Sequence, residues 1–453
     1  MKTSASPAAL LEQRATRTVS RLQERGFESY WAGGCVRDRL LGKAPYDYDI
    51  ATAAHPEVIH ELFPGSVLVG KAFGVVRVPV ETAVFEVATF RSESNYQDGR
   101  HPESVCFTDA ETDAGRRDFT MNAIFYDPIG KAYVDYVNGR ADIEARCLRC
   151  VGPPMQRFEE DHLRLLRALR FSETLGFTIE PHTEAALRAC APLITRISAE
   201  RIRDELTRIL LEAPRPGQAL THMNALGLME PILPEVAALQ HQPQPPEFHP
   251  EGDVFTHTMM MLDAMQHPTK ELAYAVLLHD IAKPLTATLD GDRIRFNGHD
   301  VLGADVARAI LRRLRFSNET VEAVTHCVRR HMCFRDVPAM RESTKRKLLG
   351  QPTFETELAL HRLDCLASHG KLDNYRELIA FREQLGKQPV MPPPLVGGRD
   401  VIALGVPQGP RVGAWLQRAY DRQLEEPATA SRESQLRWLT KQIAAEAADG
   451  DNA

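Results

Sequence analysis

Short apolar runs alternate with turns in the first third of the chain, and this pattern predicts a mixed α/β domain. Four runs within residues 28–150 have the length and the β-branched content of strands: SVLVG, FGVVRVPV, AVFEVATF and AIFYDP. The runs are separated by turn residues or by longer polar segments. We therefore expect a head domain over residues 1–150, built on a mixed sheet of about five strands.

From about residue 151 the apolar positions recur every three or four residues, which predicts amphipathic helices. We expect a helical neck over residues 151–215, a helical body over 216–390 and a helical tail over 391–453. The body and the tail are separated by KQPVMPPPLVGGRD, because three successive prolines cannot continue a helix. The predicted fold class is α+β, with all of the sheet in the head.

The composition, 43% hydrophobic and 26% charged, is that of an ordinary globular protein. No apolar run approaches the ~18 residues of a membrane span, so we expect no membrane association. The eight cysteines are scattered, which indicates reduced thiols and a cytoplasmic protein. A net charge of −6 excludes a polycation, so any nucleic-acid binding must use local arginine clusters. The oligomeric state is left open.

A pair of carboxylates in DYDIAT is the first candidate for chemistry. Asp47 and Asp49 are two residues apart on a predicted strand, so their side chains point to the same face. Two neighbouring carboxylates repel unless a cation lies between them, and Mg²⁺ prefers such oxygen ligands. Glu86 interrupts an otherwise apolar strand and is the third candidate acid. Gly33 and Gly34 precede the pair and can bring backbone N–H groups close to a triphosphate.

Five motifs in order resemble those of class II tRNA nucleotidyltransferases and the related bacterial poly(A) polymerases. They are GGCVRD, DYDIAT, RRDFTMNA, DYVNGRADI and EDHLRLLRALRF, and the resemblance covers about residues 28–215. It implies a catalytic set of Asp47, Asp49 and Glu86 that works with Mg²⁺ by two-metal phosphoryl transfer. It also implies a nucleotide-binding set: Gly33, Gly34, Arg37 and Asp38 near the triphosphate, and Arg116, Arg117, Asp118 and Asn122 near the nucleoside.

The last motif is expected to select the base. The resemblance implies that Asp161 and Arg164 read the Watson–Crick edge of CTP or ATP in place of a nucleic-acid template. Asp161 offers only acceptors and Arg164 only donors, and the spacing i, i+3 puts them on one helix face. Arg167 and Arg170 would extend that face. The polar segment 91–102, with Asp98 and Arg100, resembles the flexible loop that the family uses in switching from C to A addition.

A second set of polar residues lies in the predicted helical body. Its members are imidazoles and carboxylates separated by 22, 1, 19, 32 and 33 residues, namely His257, His279, Asp280, His299, His331 and Asp364. They resemble the metal ligands of HD-superfamily phosphohydrolases. The resemblance implies His257, His279, Asp280 and Asp364 as core ligands of a transition metal, with His299 and His331 at a second ion. His326 competes with His331 for that role.

These motifs together predict template-independent addition of CMP, CMP and AMP, from CTP and ATP, to the 3′ end of tRNA. They also imply phosphatase or 2′,3′-cyclic phosphodiesterase activity at the HD site. A poly(A) polymerase, or a specialist that adds only CC or only A, would use nearly the same residues. The short, non-basic tail favours the tRNA enzyme. An HD phosphohydrolase with an inactive head is the third alternative, and the complete acidic pair argues against it.

Overall fold

The computed structural model describes residues 6–69, 74–96, 102–245, 247, 249–250, 252–291, 293–427 and 429–450. The chain forms two compact units. Unit 1 comprises Met1–Ala238 and Arg312–Phe316, and unit 2 comprises Leu239–Leu311 and Ser317–Ala453. No helix among the described residues is both long enough and apolar enough to cross a membrane.

Unit 1 is organised around a seven-stranded sheet in the order β3-β4-β5-β2-β1-β8-β9. All neighbouring strands are antiparallel except β2 and β5, which run parallel. The sheet strands are β1 (Ser29–Ala32), β2 (Asp49–Thr52), β3 (Val67–Val69), β4 (Val75–Val80), β5 (Ala83–Thr89), β8 (Phe125–Asp127) and β9 (Ala132–Val134). Two small pairs lie outside it, the hairpin of β6 (Arg91–Tyr96) and β7 (Pro102–Phe107) and the parallel pair of β10 (Cys147–Leu148) and β11 (Thr178–Ile179).

The mixed α/β head is confirmed, but the sheet has two strands more than expected. Each of the four apolar runs named from the sequence contains a strand. The additional strands β1, β2 and β9 are only three or four residues long. Runs this short carry too little alternation to be distinguished from loop in a sequence.

The first helices of unit 1 alternate with the strands of the sheet. After β9 the chain adds helices but no further strand to this sheet. They are α1 (Pro7–Gln23), α2 (Gly34–Leu40), α3 (Pro56–Leu62), α4 (Ala110–Gly115), α5 (Gly139–Glu144), α6 (Pro154–Glu160), α7 (Leu163–Leu175), α8 (Pro181–Cys190), α9 (Ala199–Glu212), α10 (Pro216–Ala225), α11 (Met229–Ile232) and α12 (Pro234–Ala237). Part of the core is aromatic, where Phe90 and Phe125 pack edge to face with ring centroids 5.8 Å apart. This packing fixes β1, β2 and β8, which carry or flank the acidic motif.

Unit 2 is mostly helical, as its sequence pattern predicts. Its helices are α13 (Val254–Asp263), α14 (Lys270–Leu278), α15 (Lys283–Thr286), α16 (His299–Arg313, whose last two residues belong to unit 1), α17 (Asn318–Arg330), α18 (Glu342–Leu349), α19 (Phe354–Ala367), α20 (Asp373–Leu385), α21 (Gly398–Ala403), α22 (Pro410–Glu425) and α23 (Arg432–Gly450). One hairpin interrupts them, formed by β12 (Ala287–Asp290) and β13 (Arg293–Phe296), which the helical prediction missed. The triple-proline segment lies between α20 and α21, where a helix boundary was expected.

Candidate functional site

The acidic residues of unit 1 meet where the start of β2 lies beside the middle of β5. Ile50 of β2 pairs with Val87 of the parallel strand β5. Asp49 and Glu86 directly precede these two residues, so they lie side by side. Burial raises the pKa of Asp49 to about 6, and the negative charges of Asp47 and then of Glu86 add to this increase. Asp49 nevertheless keeps contact with solvent. The three predicted acids therefore share one site, which is open on one side.

The geometry of Asp47 differs from its prediction, because β2 begins only at Asp49. Asp47 lies in the irregular segment that precedes this strand. Tyr48, between the two acids, is buried and packs edge to face on Trp31 with ring centroids 4.7 Å apart. Since Tyr48 points into the core, both aspartates are exposed on the other side. The shared face that the sequence suggested is thus kept without a regular strand.

Gly33 forms the wall of this acidic site. It has φ +72° and precedes α2, and a Cβ atom there would lie 3.4 Å from Arg117 Nη1 and 3.8 Å from Asp49 Oδ2. A side chain would therefore meet both strain and two functional groups. Gly34 is helical, and a Cβ there would lie 3.7 Å from Arg37 Nη2. The two glycines leave the backbone accessible next to the carboxylates, as a triphosphate site requires.

A buried carboxylate that the sequence analysis missed holds the two motif arginines. Asp113 of α4 is 1% exposed, and its Oδ1 accepts from Arg116 Nη2 at 2.6 Å. Its Oδ2 accepts from Arg117 Nη2 at 3.0 Å. Burial alone would raise the pKa of Asp113, but the two guanidinium groups lower it. The signal was present in the sequence, because Asp113 precedes Arg116 and Arg117 by three and four residues.

Asp118 is the centre of a second arginine network. Its Oδ2 accepts from Arg167 Nη2 at 2.6 Å and its Oδ1 from Asn122 Nδ2 at 3.2 Å. Burial would raise the pKa of Asp118, but the Arg167 guanidinium holds it at about 2. Asn122 Oδ1 accepts in turn from Arg37 Nη1 at 2.8 Å, and Arg37 also pairs with Asp38 at 2.7 Å. Residues from three separate motifs are therefore linked by hydrogen bonds.

The motif DYVNGRADI supports this network from behind. A Cβ atom on Gly139 would lie 2.2 Å from the carbonyl oxygen of Thr120, so no side chain fits there. Thr120 begins the 3₁₀ turn Thr120–Asn122 and donates its hydroxyl to Asp142 Oδ2 at 2.7 Å. Asp135 caps the same segment by accepting from the N–H of Gly139 at 3.0 Å. The motif thus positions Asn122 by packing and hydrogen bonds.

The prediction that Asp161 and Arg164 lie on one continuous helix is wrong. The chain leaves α6 at Asp161, which has φ −142° and ψ 103°, and α7 begins at Leu163. Asp161 accepts from Arg201 Nη2 at 3.0 Å, whereas Arg164 donates to Glu160 Oε2 at 2.8 Å. The side chain of Asp161 also caps α7 by accepting from the N–H of Leu163 at 3.1 Å. A capping carboxylate ends one helix and starts the next, which the i, i+3 spacing cannot reveal.

Arg170 does not extend a positive face toward the nucleotide residues. It is 3% exposed and pairs with the buried Glu205, Nε to Oε2, at 2.6 Å. Its guanidinium lies over the Phe171 ring, 4.1 Å from the centroid. Arg170 therefore fastens α7 to α9 inside unit 1.

The polar segment 91–102 is not a loop throughout. Residues Arg91–Tyr96 form β6, which pairs with β7 in an antiparallel hairpin. A polar sequence is compatible with a β-hairpin, which the turn-rich composition concealed. Asp98 and Arg100 lie outside the described residues.

All six predicted HD residues come together in unit 2. The ligand atoms form two groups, each within 4.8 Å: His257, His279 and Asp364, and Asp280, His299 and His331. Asp280 lies between the groups, with Oδ2 at 3.0 Å from His279 Nε2 and Oδ1 at 3.4 Å from His299 Nε2. His326 instead lies 3.2 Å from the buried Glu357, so its competing assignment is not supported.

The imidazole rings of this centre are oriented for a cation. Nδ1 of His299 and of His331 each donate to a backbone carbonyl oxygen at 2.6 Å, so their protons are on Nδ1. The two Nε2 atoms then face each other with lone pairs at 3.1 Å. Burial lowers the pKa of His331 to about 4, which keeps this ring neutral near pH 7. Opposed nitrogen lone pairs beside a carboxylate fit a transition-metal ion.

Comparison with known families follows the same order along the chain. Residues 29–149 match the family described as Poly A polymerase head domain. Residues 176–240 match the family described as probable RNA and SrmB-binding site of polymerase A, and residues 253–367 match the HD domain. The matched head contains the three acids, the Asp113 network and all of the Asp118 network except Arg167. The HD match contains all six metal-ligand candidates.

The curated relatives are CCA-adding enzymes. The chain is 42% identical to that of Geobacillus stearothermophilus over 231 residues, which cover 51% of this chain and 56% of the relative. It is 44% identical to that of Enterococcus faecalis over 206 residues, 45% of this chain and 50% of the relative. The chain thus spans about half the length of the curated relatives it matches.

Solved structures with the same fold cover nearly the whole chain. The crystal structure of Bacillus stearothermophilus CCA-adding enzyme in complex with CTP is 27% identical, with a TM-score of 0.75 over 98% of this chain and 100% of that one. The Thermotoga maritima CCA-adding enzyme complexed with tRNA is 19% identical, with a TM-score of 0.61 over 97% of this chain and 96% of that one, and shares the fold. The chain therefore combines three regions, which are similar in order to the Poly A polymerase head domain, to the RNA-binding region of polymerase A and to the HD domain.

Proposed function

We propose that this protein adds CCA to the 3′ end of tRNA, using CTP and ATP. The observation that carries the proposal is the acidic site, in which Asp49 and Glu86 are adjacent in register and Asp47 is exposed on the same side. Relatives named CCA-adding enzymes, one of them in complex with CTP, support the choice of reaction and nucleotide. The RNA-binding match supports an RNA acceptor.

In this reaction Asp47, Asp49 and Glu86 would hold Mg²⁺. The ion, when bound, would supply charge neutralisation for in-line attack of the tRNA 3′-hydroxyl on the α-phosphorus of the nucleotide. The raised pKa of Asp49 is the expected property of a carboxylate whose neighbours are also acidic. The residues fit the ion because they offer only oxygen donors on an open face.

The arginine networks would bind and orient the nucleotide. Asp113 fixes Arg117 near Asp49 and also holds Arg116, so both side chains would lose little entropy when phosphate binds. Gly33, Gly34, Arg37 and Asp38 would lie along the triphosphate. Asp118, held by Arg167 and Asn122, is our candidate for ribose recognition.

Base selection would use Asp161 and Arg164. Asp161 is paired with Arg201, so we propose that the base takes acceptor positions on Asp161 that Arg201 leaves open. Arg164 donates to Glu160 and to the carbonyl oxygens of Arg157 and Arg116, which leaves two of the five N–H groups of its guanidinium for a base. A base that leaves either residue unpaired would lose on the order of 1–3 kcal/mol of binding free energy.

The first test extends a labelled tRNA transcript that ends at the discriminator base, with Mg²⁺ and with CTP alone, ATP alone or both. We expect two additions with CTP and a third only when ATP is also present. Arrest after two C residues with both nucleotides would indicate a CC-adding specialist, and a long ladder with ATP alone would indicate a poly(A) polymerase. No extension of any RNA end would overturn the proposal.

The matched variants for this test are Asp49→Ala and Glu57→Ala. Asp49→Ala should lower the rate of addition by at least about 10³-fold, because the metal site loses a ligand. It should leave tRNA affinity unchanged in a filter-binding assay. Glu57, at the first turn of α3, serves as the control for loss of one surface acid from the same domain.

We further propose that the HD centre hydrolyses phosphate esters, as a phosphatase or a 2′,3′-cyclic phosphodiesterase acting on damaged 3′ ends. The opposed Nε2 atoms of His299 and His331 beside Asp280 support a transition metal there. Hydrolysis of 2′,3′-cyclic AMP and of p-nitrophenyl phosphate, with the ion content measured by mass spectrometry, tests it. Absence of turnover with each of Mn²⁺, Co²⁺ and Ni²⁺ would contradict it. A cytoplasmic location would suit the eight free cysteines.

A further inference from the structure

A buried amide beside the HD centre has a hydrogen-bond donor that none of the six metal-ligand candidates satisfies. Gln244 is 4% exposed and lies in the proline-rich segment 239–252. Its Oε1 accepts from Lys283 Nζ at 2.6 Å. Its Nε2 is buried and has no hydrogen-bond partner among the described residues. An unsatisfied buried amide costs free energy unless something else satisfies it.

The orientation of this amide is fixed by its partner. An ammonium group is only a donor, so the carbonyl oxygen of Gln244 must face Lys283 and the NH₂ group must point the other way. Lys283 is also tied to the centre, since its Nζ lies 2.6 Å from Asp280 Oδ2. One ammonium group therefore connects Gln244 to a metal-ligand candidate.

The charges around Gln244 determine which ligand would satisfy it. Lys283 gives two contacts to Asp280 and Gln244 and keeps its third N–H, while Gln244 offers two more N–H groups. Apart from the Asp280 carboxylate that Lys283 contacts, this corner therefore presents donors, next to a centre of imidazoles and carboxylates suited to a cation. A phosphoryl oxygen, an acceptor with negative charge, is the chemistry that matches donors on one side and a cation on the other.

The proline-rich segment is held in place well enough to position this group. The carbonyl oxygen of Gln242 accepts from the N–H of Val254 at 3.1 Å, at the start of α13. His249 of the same segment packs edge to face on His257, with ring centroids 5.0 Å apart. Both contacts attach the segment to α13, which carries His257.

We propose that Gln244, oriented by Lys283, donates a hydrogen bond to a non-bridging phosphoryl oxygen of the substrate of the HD centre. The proposal rests on the hydrolase function proposed above and assigns its phosphate-positioning residue. In that reaction a water oxygen bonds to phosphorus, the P–O ester bond breaks, and a proton from the water goes to the leaving ester oxygen. Gln244 exchanges no proton and binds the phosphoryl group throughout.

The discriminating variant is Gln244→Glu. It keeps the size of the side chain and the acceptor for Lys283 but replaces the NH₂ donor with a carboxylate oxygen. We expect the dissociation constant of inorganic phosphate, measured by calorimetry on protein loaded with Mn²⁺, to rise about 10- to 100-fold. KM for 2′,3′-cyclic AMP should rise with it, while bound Mn²⁺ and CCA addition stay unchanged.

The matched control is Gln242→Glu, which adds the same charge two residues away in the same segment. The side chain of Gln242 donates to the carbonyl of Pro243 at 3.2 Å. We expect phosphate affinity to stay within about twofold of the wild type. If Gln244→Glu behaves like this control, Gln244 only supports Lys283 and the inference is overturned.

Two outcomes separate this inference from the proposed hydrolase. Wild-type protein that binds phosphate through Gln244 but hydrolyses no ester would contradict the hydrolase and leave the binding site standing. Wild-type protein loaded with metal that hydrolyses esters, but with a phosphate affinity and KM unaffected by Gln244→Glu, would contradict the inference alone. Metal-loaded wild type that does not bind phosphate at millimolar concentration overturns it as well.

Discussion

The carboxylate site of unit 1 and the histidine centre of unit 2 both gather acids and bases for a cation, but they are built differently. In unit 1 the acids Asp47 and Asp49 are exposed, and buried Asp113 holds the cations around them. In unit 2 the candidate ligands themselves are buried, except for the partly exposed Asp364: His257 is 0% and His279 1% exposed. In the first site burial holds the residues around the ligands in place, whereas in the second site burial holds the ligands themselves.

This difference suggests how each site would acquire its ion. An open pair of carboxylates leaves ligand positions for water and for nucleotide phosphates, so Mg²⁺ would arrive with the substrate. Buried imidazoles whose Nδ1 atoms are fixed by carbonyls would retain a transition metal between turnovers. Two independent centres in one chain should therefore respond independently to mutation and to metal.

The largest expected effect comes from disabling each centre in turn. Asp49→Asn should reduce CCA addition by at least about 10³-fold and leave hydrolysis of 2′,3′-cyclic AMP unchanged, whereas Asp280→Asn should do the reverse. Both activities are measured on the same preparations, with circular dichroism as the check on folding. Loss of both activities in either variant, with the fold intact, would show that the centres are coupled.

A smaller loss is expected when the carboxylate behind the arginines is neutralised. Asp113→Asn replaces one acceptor with a donor next to two guanidinium groups, so Arg116 and Arg117 lose their anchor. We expect kcat/KM for CTP to fall about 10- to 100-fold in single-turnover extension assays. Asp109→Asn is the control, because Asp109 is an exposed cap of the same helix and asparagine caps as well. Equal kinetics in both variants would exclude a positioning role for Asp113.

The corrected role of Arg170 predicts a loss of stability with little loss of nucleotide binding. Arg170→Met leaves Glu205 as an unpaired buried carboxylate, which should lower the free energy of unfolding by about 3–5 kcal/mol in urea. Arg208→Met removes an exposed pair with Glu212 and should cost at most about 1 kcal/mol. The double variant Arg170→Met, Glu205→Leu should recover most of the loss. If Arg170→Met instead raised KM for CTP about tenfold and left the stability unchanged, Arg170 would have the nucleotide-binding role predicted from the sequence.

The smallest effect is a pH dependence of stability from Asp118. Its pKa in the folded protein, about 2, is below the value of about 3.9 in an unfolded chain. The Asp118–Arg167 pair therefore stabilises unit 1 above pH ~4, and this contribution disappears as the pH falls toward ~2. It should amount to about 2 kcal/mol, measured as the difference in unfolding free energy between wild type and Asp118→Asn at pH 7 and pH 3. A difference that does not shrink in acid would assign the stabilisation to another residue.

How far the sequence predicts each centre depends on how local the centre is. The Asp47 and Asp49 pair and Gly33 could be selected as candidates because they lie close together in the sequence, and the candidate HD ligands because their types and spacing are unusual. Glu86 could be picked out because a charge in an apolar strand is costly.

What the sequence could not predict was how charged residues pair in three dimensions. Arg164, Arg167 and Arg170 share one helical pattern, yet they pair with Glu160, Asp118 and Glu205, respectively. Only the last partnership buries the arginine away from the nucleotide residues, and nothing in the spacing distinguishes it. Asp113 and Gln244 were missed for a related reason, because their importance comes from burial and from partners distant in the fold.

Gly139 makes a mutational map of this protein harder to interpret. It touches neither acid nor arginine of the site, but any side chain there would push the turn that carries Asn122, and with it the hydrogen bonds to Arg37 and Asp118. A saturation library should therefore show position 139 as intolerant and the exposed neighbour Arg140 as permissive. An intolerant position far from substrate would then mark the support of a recognition residue, and engineering of nucleotide preference could start from that support as well as from the contacts themselves.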